Sequence, residues 1–199
     1  MEDGPKIPEG EQTQDRTEQL EAQPRIYVAS LSDYNDGYLH GTWISAAQEP
    51  EDIHRAIRDM LARSPTPGAE EYAIHDYENF GPLKLGEYES IATVARLAQG
   101  ITEHGVAYAH WAALVDGSDS EILSRFEDAY RGHFDSLVDY AGQLFDDFGY
   151  NDLIETIVPE HLRSYVRIDI EAFARDLESS GSITTSEGDG GVYVFDEIY

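Results

Sequence analysis

Ile26-Tyr27-Val28-Ala29-Ser30-Leu31-Ser32-Asp33-Tyr34-Asn35-Asp36-Gly37-Tyr38-Leu39-His40-Gly41-Thr42-Trp43-Ile44 reads as strand, turn and strand. The run 26–31 is rich in β-branched and aromatic residues, which suit a pleated, half-buried surface. Asp36-Gly37 is a turn signal, and 38–44, with Trp43, forms the returning strand of a hairpin. Beyond it, Pro50 suits the first turn of a helix, and Ile53, Ala56, Ile57, Met60 and Leu61 follow at helical spacing. Ser64-Pro65-Thr66-Pro67-Gly68 ends that helix, and 72–76 reads as a third strand. Residues 25–85 are therefore expected to form an N-terminal α+β domain.

Farther along, the periodicity turns helical. Ile91, Val94, Ala95 and Ala98 mark one amphipathic helix, 106–115 with Trp111 a second, and Ile122, Phe126, Ala129 and Tyr130 a third. In the fourth, Leu137, Val138, Ala141, Leu144, Phe145 and Phe148 fall within an arc of about 120°, and Asp135, Asp139 and Asp146 within about 40° on the opposite side. A central helical domain over 86–150 follows. After Pro159, Asp169 can cap a helix with Ile170, Phe173, Ala174 and Leu177 on its core face, closed by Gly181. Strands at 183–185 and 192–195 flank Gly188-Asp189-Gly190-Gly191, giving a C-terminal α+β domain over 151–199. The fold class expected is α+β in three small domains, the outer ones with small antiparallel sheets and the middle one helical.

The charge narrows the function. Forty acids stand against thirteen bases, only two of them lysine, for a formal charge of −27 on 199 residues. Solubility asks for roughly 2–8 charges on a small domain, and self-repulsion at this level works against a compact state. Residues 1–24 read as a disordered acidic tail, rich in Gln, Glu, Pro and Gly. Residues 1–23 carry −5, which leaves an excess of 22 negative charges on the rest. That excess runs in base-free stretches: seven acids over 132–162 and six over 176–199. The sign excludes the usual nucleic-acid binding through Lys and Arg. It points instead to a partner with a basic surface. A salt-adapted surface, acidic on all sides, is the plainer alternative.

The chain has no HExxH, P-loop, GxGxxG or GxSxG motif, and no cysteine. The segment 33–37 resembles the start of a calcium loop, but its Gly comes one place early and Ile44 stands where the bidentate Glu belongs. The seven histidines show no metal-site spacing, and His75-Asp76 reads as a strand residue beside an acid. No catalysis, metal or cofactor is expected. No apolar run reaches the ~18–20 residues of a membrane span, so the cytoplasm is the expected location, with no membrane partner.

Duplex DNA carries about one negative charge per ~1.7 Å of axis. Twenty-two excess charges match roughly 37 Å of duplex, and a symmetric pair roughly 75 Å, on that spacing. Carboxylates along one side of the protein would imitate a phosphate track and exclude DNA from a binding groove. The rival of another class is an acidic interaction protein that sequesters a different basic partner, such as a histone-like protein.

The sequence resembles the ArdA antirestriction family, carried by mobile elements and phages. The resemblance lies in 25–37, Leu39-His40-Gly41 and Trp43-Ile44, then in 73–78 with Phe80-Gly81. It continues in Pro159-Glu160-His161-Leu162, 169–177 and 191–196, and so covers about 25–197. It implies a curved, elongated array of three domains, dimeric, that mimics bent B-form DNA. The implied target is the DNA path of the methyltransferase and specificity subunits of a type I restriction–modification enzyme, with no direct nucleic-acid binding. The candidate phosphate surrogates are Glu70, Glu71, Asp76, Glu78, Glu87, Glu89, Asp135, Asp139, Asp146, Asp147, Asp152, Glu155, Asp176 and Glu178. The counterpart of the family's antirestriction motif falls near 140–149, where Tyr140, Leu144, Phe145 and Phe148 are the candidate dimer contacts.

Overall fold

A computed structural model describes residues 23–197. The disordered tail expected over 1–24 falls, but for its last two residues, outside the described residues. The fold is mixed α+β, with two three-stranded antiparallel sheets. It divides into two compact units, one running to Ala109 and the other beginning at His110.

In the first unit, β1 (Arg25–Ser30) is the central strand between β2 (Gly41–Ser45) and β3 (Tyr72–Glu78). The expected antiparallel pairing of the first two strands is present, with Ile26 opposite Ile44 and Tyr27 opposite Trp43. Their connection is richer than a simple turn. A single helical turn, α1 (Leu31–Asn35), intervenes, and Gly37 then takes φ +84°, where a side chain would be strained. Helix α2 (Pro50–Leu61), with Pro50 in its first turn, lays Ile53, Ile57 and Met60 into the core with Ile26, Val28 and Ile44. Helix α3 (Ile91–His104) adds Val94 and Leu97, and the division between the units falls within α4 (Val106–Leu114).

The segment that looks like the start of a calcium loop points inward. Asp33 is wholly buried. Its carboxylate accepts from the hydroxyls of Ser64 and Thr66, each at 2.6 Å, while its amide donates to Ser30 Oγ, the cap of α1, at 3.3 Å. Burial alone would raise this carboxyl, but the hydroxyls of Ser64, Thr66 and Ser30, with His40 nearby, outweigh it and hold the pKa at about 2. A carboxyl so lowered contributes stability that is complete above about pH 4 and disappears as the pH falls toward 2. Asp33→Ala is expected to lower the thermal midpoint at neutral pH by about 10 °C, because two half-buried hydroxyls lose their acceptor. Asp33→Asn, which keeps one acceptor, should lower it less. Equal midpoints for wild type and Asp33→Ala would remove this carboxylate from the fold's support.

After the end of α4, the second unit continues with α5 (Ser120–Leu123) and α6 (Phe126–Ala129). The third helix expected through Ile122, Phe126, Ala129 and Tyr130 is corrected here: the chain breaks at Ser124 and Arg125, and Tyr130 begins a strand, β4 (Tyr130–Phe134). The wholly helical middle is corrected with it. Two helical periods were too short a signal against the tertiary pairing, in which β4 lies beside the last strand and Tyr130 packs on Phe126 and Phe195. Helix α7 (Leu137–Asp147) follows, capped by Ser136, then α8 (Tyr150–Ile157) and α9 (Glu160–Arg163). Helix α10 (Ile170–Ser179) is capped by Asp169 as expected, and β5 (Ile183–Gly188) and β6 (Gly191–Asp196) form the hairpin. The sheet order is β4-β6-β5. Its core holds Tyr140, Ile183 and Val194, with Phe134, Leu137, Leu144 and Leu177 packed against them.

Candidate target-binding surface

Carboxylates can stand in for phosphates only if they face solvent and sit on backbone that holds them in place. All fourteen candidates except the half-buried Glu89 are exposed. In the first unit, the Glu71 carbonyl accepts from the Leu31 amide at 3.0 Å, and the Glu87 carbonyl accepts from Ile74 at 2.9 Å. Both backbones are thus tied to the sheet unit while the side chains remain outside. Asp76 and Glu78 sit on β3, and Asp76 Oδ1 accepts from the Tyr77 amide at 2.8 Å. Glu78 differs from the rest, because Arg25 pairs with it at 2.5 Å and offsets its charge. Glu89 accepts from the Ser90 amide at 3.3 Å.

In the second unit the acids cluster at helix ends. Asp139 lies in the first turn of α7, where the helix dipole favours an anion. Asp146 and Asp147 occupy the last turn of that helix, where the dipole disfavours them, and no basic residue shares the turn. Asn151 donates to Asp146. Asp152 opens α8 and Glu155 continues it, and the last turn of α10 likewise holds no basic residue. Asp176 lies on α10, and Glu178 in its last turn accepts from Thr185 Oγ1 at 3.0 Å. Anions at helix C-termini each work against the fold by ~0.3–1 kcal/mol, and the partners that Asp146 and Glu178 do have, Asn151 and Thr185, are neutral.

The hairpin beside them is held by aromatic stacking. Tyr193 lies between two imidazoles, His110 at 4.2 Å and His133 at 4.5 Å between ring centres. His110 shares a 2.7 Å hydrogen bond with Ser186, His133 Nε2 donates to the Gly188 carbonyl at 3.0 Å, and the Tyr193 hydroxyl donates to Asp189. Burial lowers the His110 pKa, with His133 acting in the same direction and Asp189 against it. Burial and the Asp189 carboxylate push Tyr193 up to about 12. These groups serve the hairpin. His75 packs edge-on against Tyr34 at 4.8 Å. Among the described residues no group of three or more His, Asp or Glu is placed to hold a metal, and no helix is long and apolar enough to cross a membrane.

The candidate dimer residues separate by burial. Tyr140 belongs to the core of its own unit and Leu144 packs against that core. Phe145 lies against Tyr150 and Phe173, whereas Phe148 is 62% exposed. The apolar surface then continues beyond the expected stretch. Helix α8 has no buried residue, and Leu153, Ile157, Leu162 and Tyr165 all stand exposed. A groove of about 380 Å³ between α7 and α8 is lined by Phe145, Ile154, Val166 and Ile168. The signal was present in the sequence: Tyr150, Leu153, Ile154 and Ile157 repeat at i, i+3, i+4 and i+7.

A family model described as "Antirestriction protein (ArdA)" matches residues 26–191. No curated protein matches the chain.

Proposed function

The chain belongs to the ArdA family of antirestriction proteins, and from that membership we propose that it mimics B-form DNA and occupies the DNA-binding groove of a type I restriction–modification enzyme. The observation that carries this reading is the placement of exposed carboxylates in the C-terminal turns of α7 and α10, which the helix dipole disfavours and which themselves hold no basic residue. Such charges are explained by a partner that supplies the missing cations. Binding would replace the enzyme's phosphate contacts with carboxylate contacts and would require no catalysis, cofactor or metal. The elongated three-domain array, the homodimer and action in the cytoplasm of a bacterial host are parts of the same proposal.

The test mixes purified protein with a type I enzyme and its unmodified substrate, and follows cleavage while DNA is titrated. Inhibition that excess DNA relieves is the expected result, and it should weaken steeply between low and moderate salt, as DNA binding itself does. Inhibition that excess DNA leaves unchanged would remove the competitive mechanism. Absence of inhibition across several type I enzymes at low salt would transfer the acidic surface to another basic partner, such as a histone-like protein.

A further inference from the structure

The outer face of the first sheet carries a row of side chains in which carboxylates are only one part. Register places Tyr27 opposite Trp43 and Asp76, and Arg25 opposite Ser45 and Glu78. Directly opposed residues share a face, while Ile26 and Ile44 turn to the buried side. The rings of Tyr27 and Trp43 lie 5.5 Å apart. Gly41 makes room for them, since a Cβ there would stand 2.8 Å from the Tyr27 ring. The Arg25 guanidinium carbon sits 4.8 Å from the centre of the Trp43 ring. Its Nε and Nη2 reach the same Glu78 oxygen at 2.6 and 2.5 Å. An aromatic face with a carboxylate at the edge is the arrangement that holds a planar guanidinium better than an ammonium.

We propose that Trp43, with Tyr27, Asp76 and Glu78, is a binding site for an arginine side chain of a protein partner, and that Arg25 is its resident competitor. The chain itself supplies the proof of chemistry, because a guanidinium already occupies the site. The occupant is replaceable: the Arg25 and Glu78 side chains are 40% and 44% exposed, Trp43 is 38% exposed, and exposed ion pairs and cation–π contacts are weak. An incoming arginine would take over the ring and the carboxylate, leaving Glu78 paired throughout, while Arg25 moves into water. The net charge of −27 draws such partners toward the protein. Naming the partner as a DNA-binding groove rests on the proposed function; the arginine chemistry does not.

The experiment measures binding of fluorescein-labelled hexa-arginine and hexa-lysine peptides to the full chain by anisotropy at low salt. Arg25→Gln should tighten hexa-arginine binding about fivefold, and hexa-lysine binding by less. Arg55→Gln makes the same charge change on α2, where Arg55 pairs with Asp52, and should shift either peptide by less than about twofold. Trp43→Leu should weaken hexa-arginine binding about fivefold and erase the preference for arginine. Thermal melts check each variant's fold, and Trp43→Phe, with a weaker cation–π face, keeps the comparison open if the leucine variant is unstable. Equal effects of Arg25→Gln and Arg55→Gln, or a Trp43→Leu variant that binds like wild type, would overturn the site. A restriction assay on the same samples separates the two readings. Flat peptide results with intact inhibition would remove the arginine site alone, whereas the expected peptide results without inhibition would remove only the identity of the partner.

Discussion

Replacing Asp135, Asp139, Asp146 and Asp147 together by asparagine is expected to weaken inhibition of a type I enzyme by about 10- to 30-fold while raising the protein's thermal midpoint. The first half follows from the weakness of each solvated charge contact. At ~0.2–1 kcal/mol apiece, four of them sum to roughly 2 kcal/mol, and 1.4 kcal/mol is tenfold in affinity. The second half follows from where the residues sit. Asp146 and Asp147 oppose the dipole of α7, and the side chains named lie within a base-free stretch, so neutralising them relieves repulsion. Asparagine at 139 preserves a short polar side chain beside Ser136, so the cap of α7 is kept. Inhibition titrations at two salt concentrations, with melts on the same samples, read both effects. A variant that is more stable yet a poorer inhibitor cannot be explained by misfolding. Full inhibition by the fourfold variant would exclude the 132–162 stretch from the target surface, and each single change should have little effect.

Phe148→Asp with Ile157→Asp is expected to convert a homodimer of about twice 22.3 kDa into a monomer, read by light scattering after size-exclusion chromatography. Phe148 and Ile157 are 62% and 68% exposed, and α8 between them buries no residue against its own unit. Large exposed apolar patches mark interaction sites, and in a symmetric dimer each substitution is presented twice. An aspartate buried there without a partner disfavours association by several kcal/mol, whereas on a free surface it is harmless. A double variant that remains a dimer would place the contact elsewhere, and a monomeric wild type would end the homodimer reading. Inhibition should fall with the dimer, because a monomer offers roughly 37 Å of charge-matched length in place of roughly 75 Å.

Elements with strong periodicity and clear punctuation were legible in the sequence. Pro50, Asp169 and Gly181 marked helix ends that the structure keeps, and the expected antiparallel pairing of the first two strands is present, although the second begins only at Gly41. Strand β4 was hidden because Phe126, Ala129 and Tyr130 continue a helical period for one turn, while its pairing partner lies some sixty residues later. Asp33 looked like a turn acid because the hydroxyls it faces are 31 and 33 residues away. At the surface, charge and sign were legible, since exposure of acids is their default. What composition could not report is which carboxylates are already neutralised. Glu78 counts as one more acid until Arg25 is seen lying against it. The apolar face of α8 was legible as a period, yet its lack of cover is a property of packing.

Strand β6 occupies the centre of its sheet although it comes last of the described elements. During synthesis, β4 and β5 therefore leave the ribosome with the strand between them still missing. Trp111, Phe126 and Tyr130 wait uncovered for Phe195. The first unit, whose central strand comes first, can close while the remainder is still being translated. The second closes only after β6 is made, so it passes through an interval in which an acidic, partly helical nascent segment has exposed aromatic residues and unpaired strand edges. A high density of carboxylates over 132–162 then has an additional consequence: like-charged nascent chains repel one another during that interval, and the acids proposed to meet a target would also oppose aggregation before the fold exists.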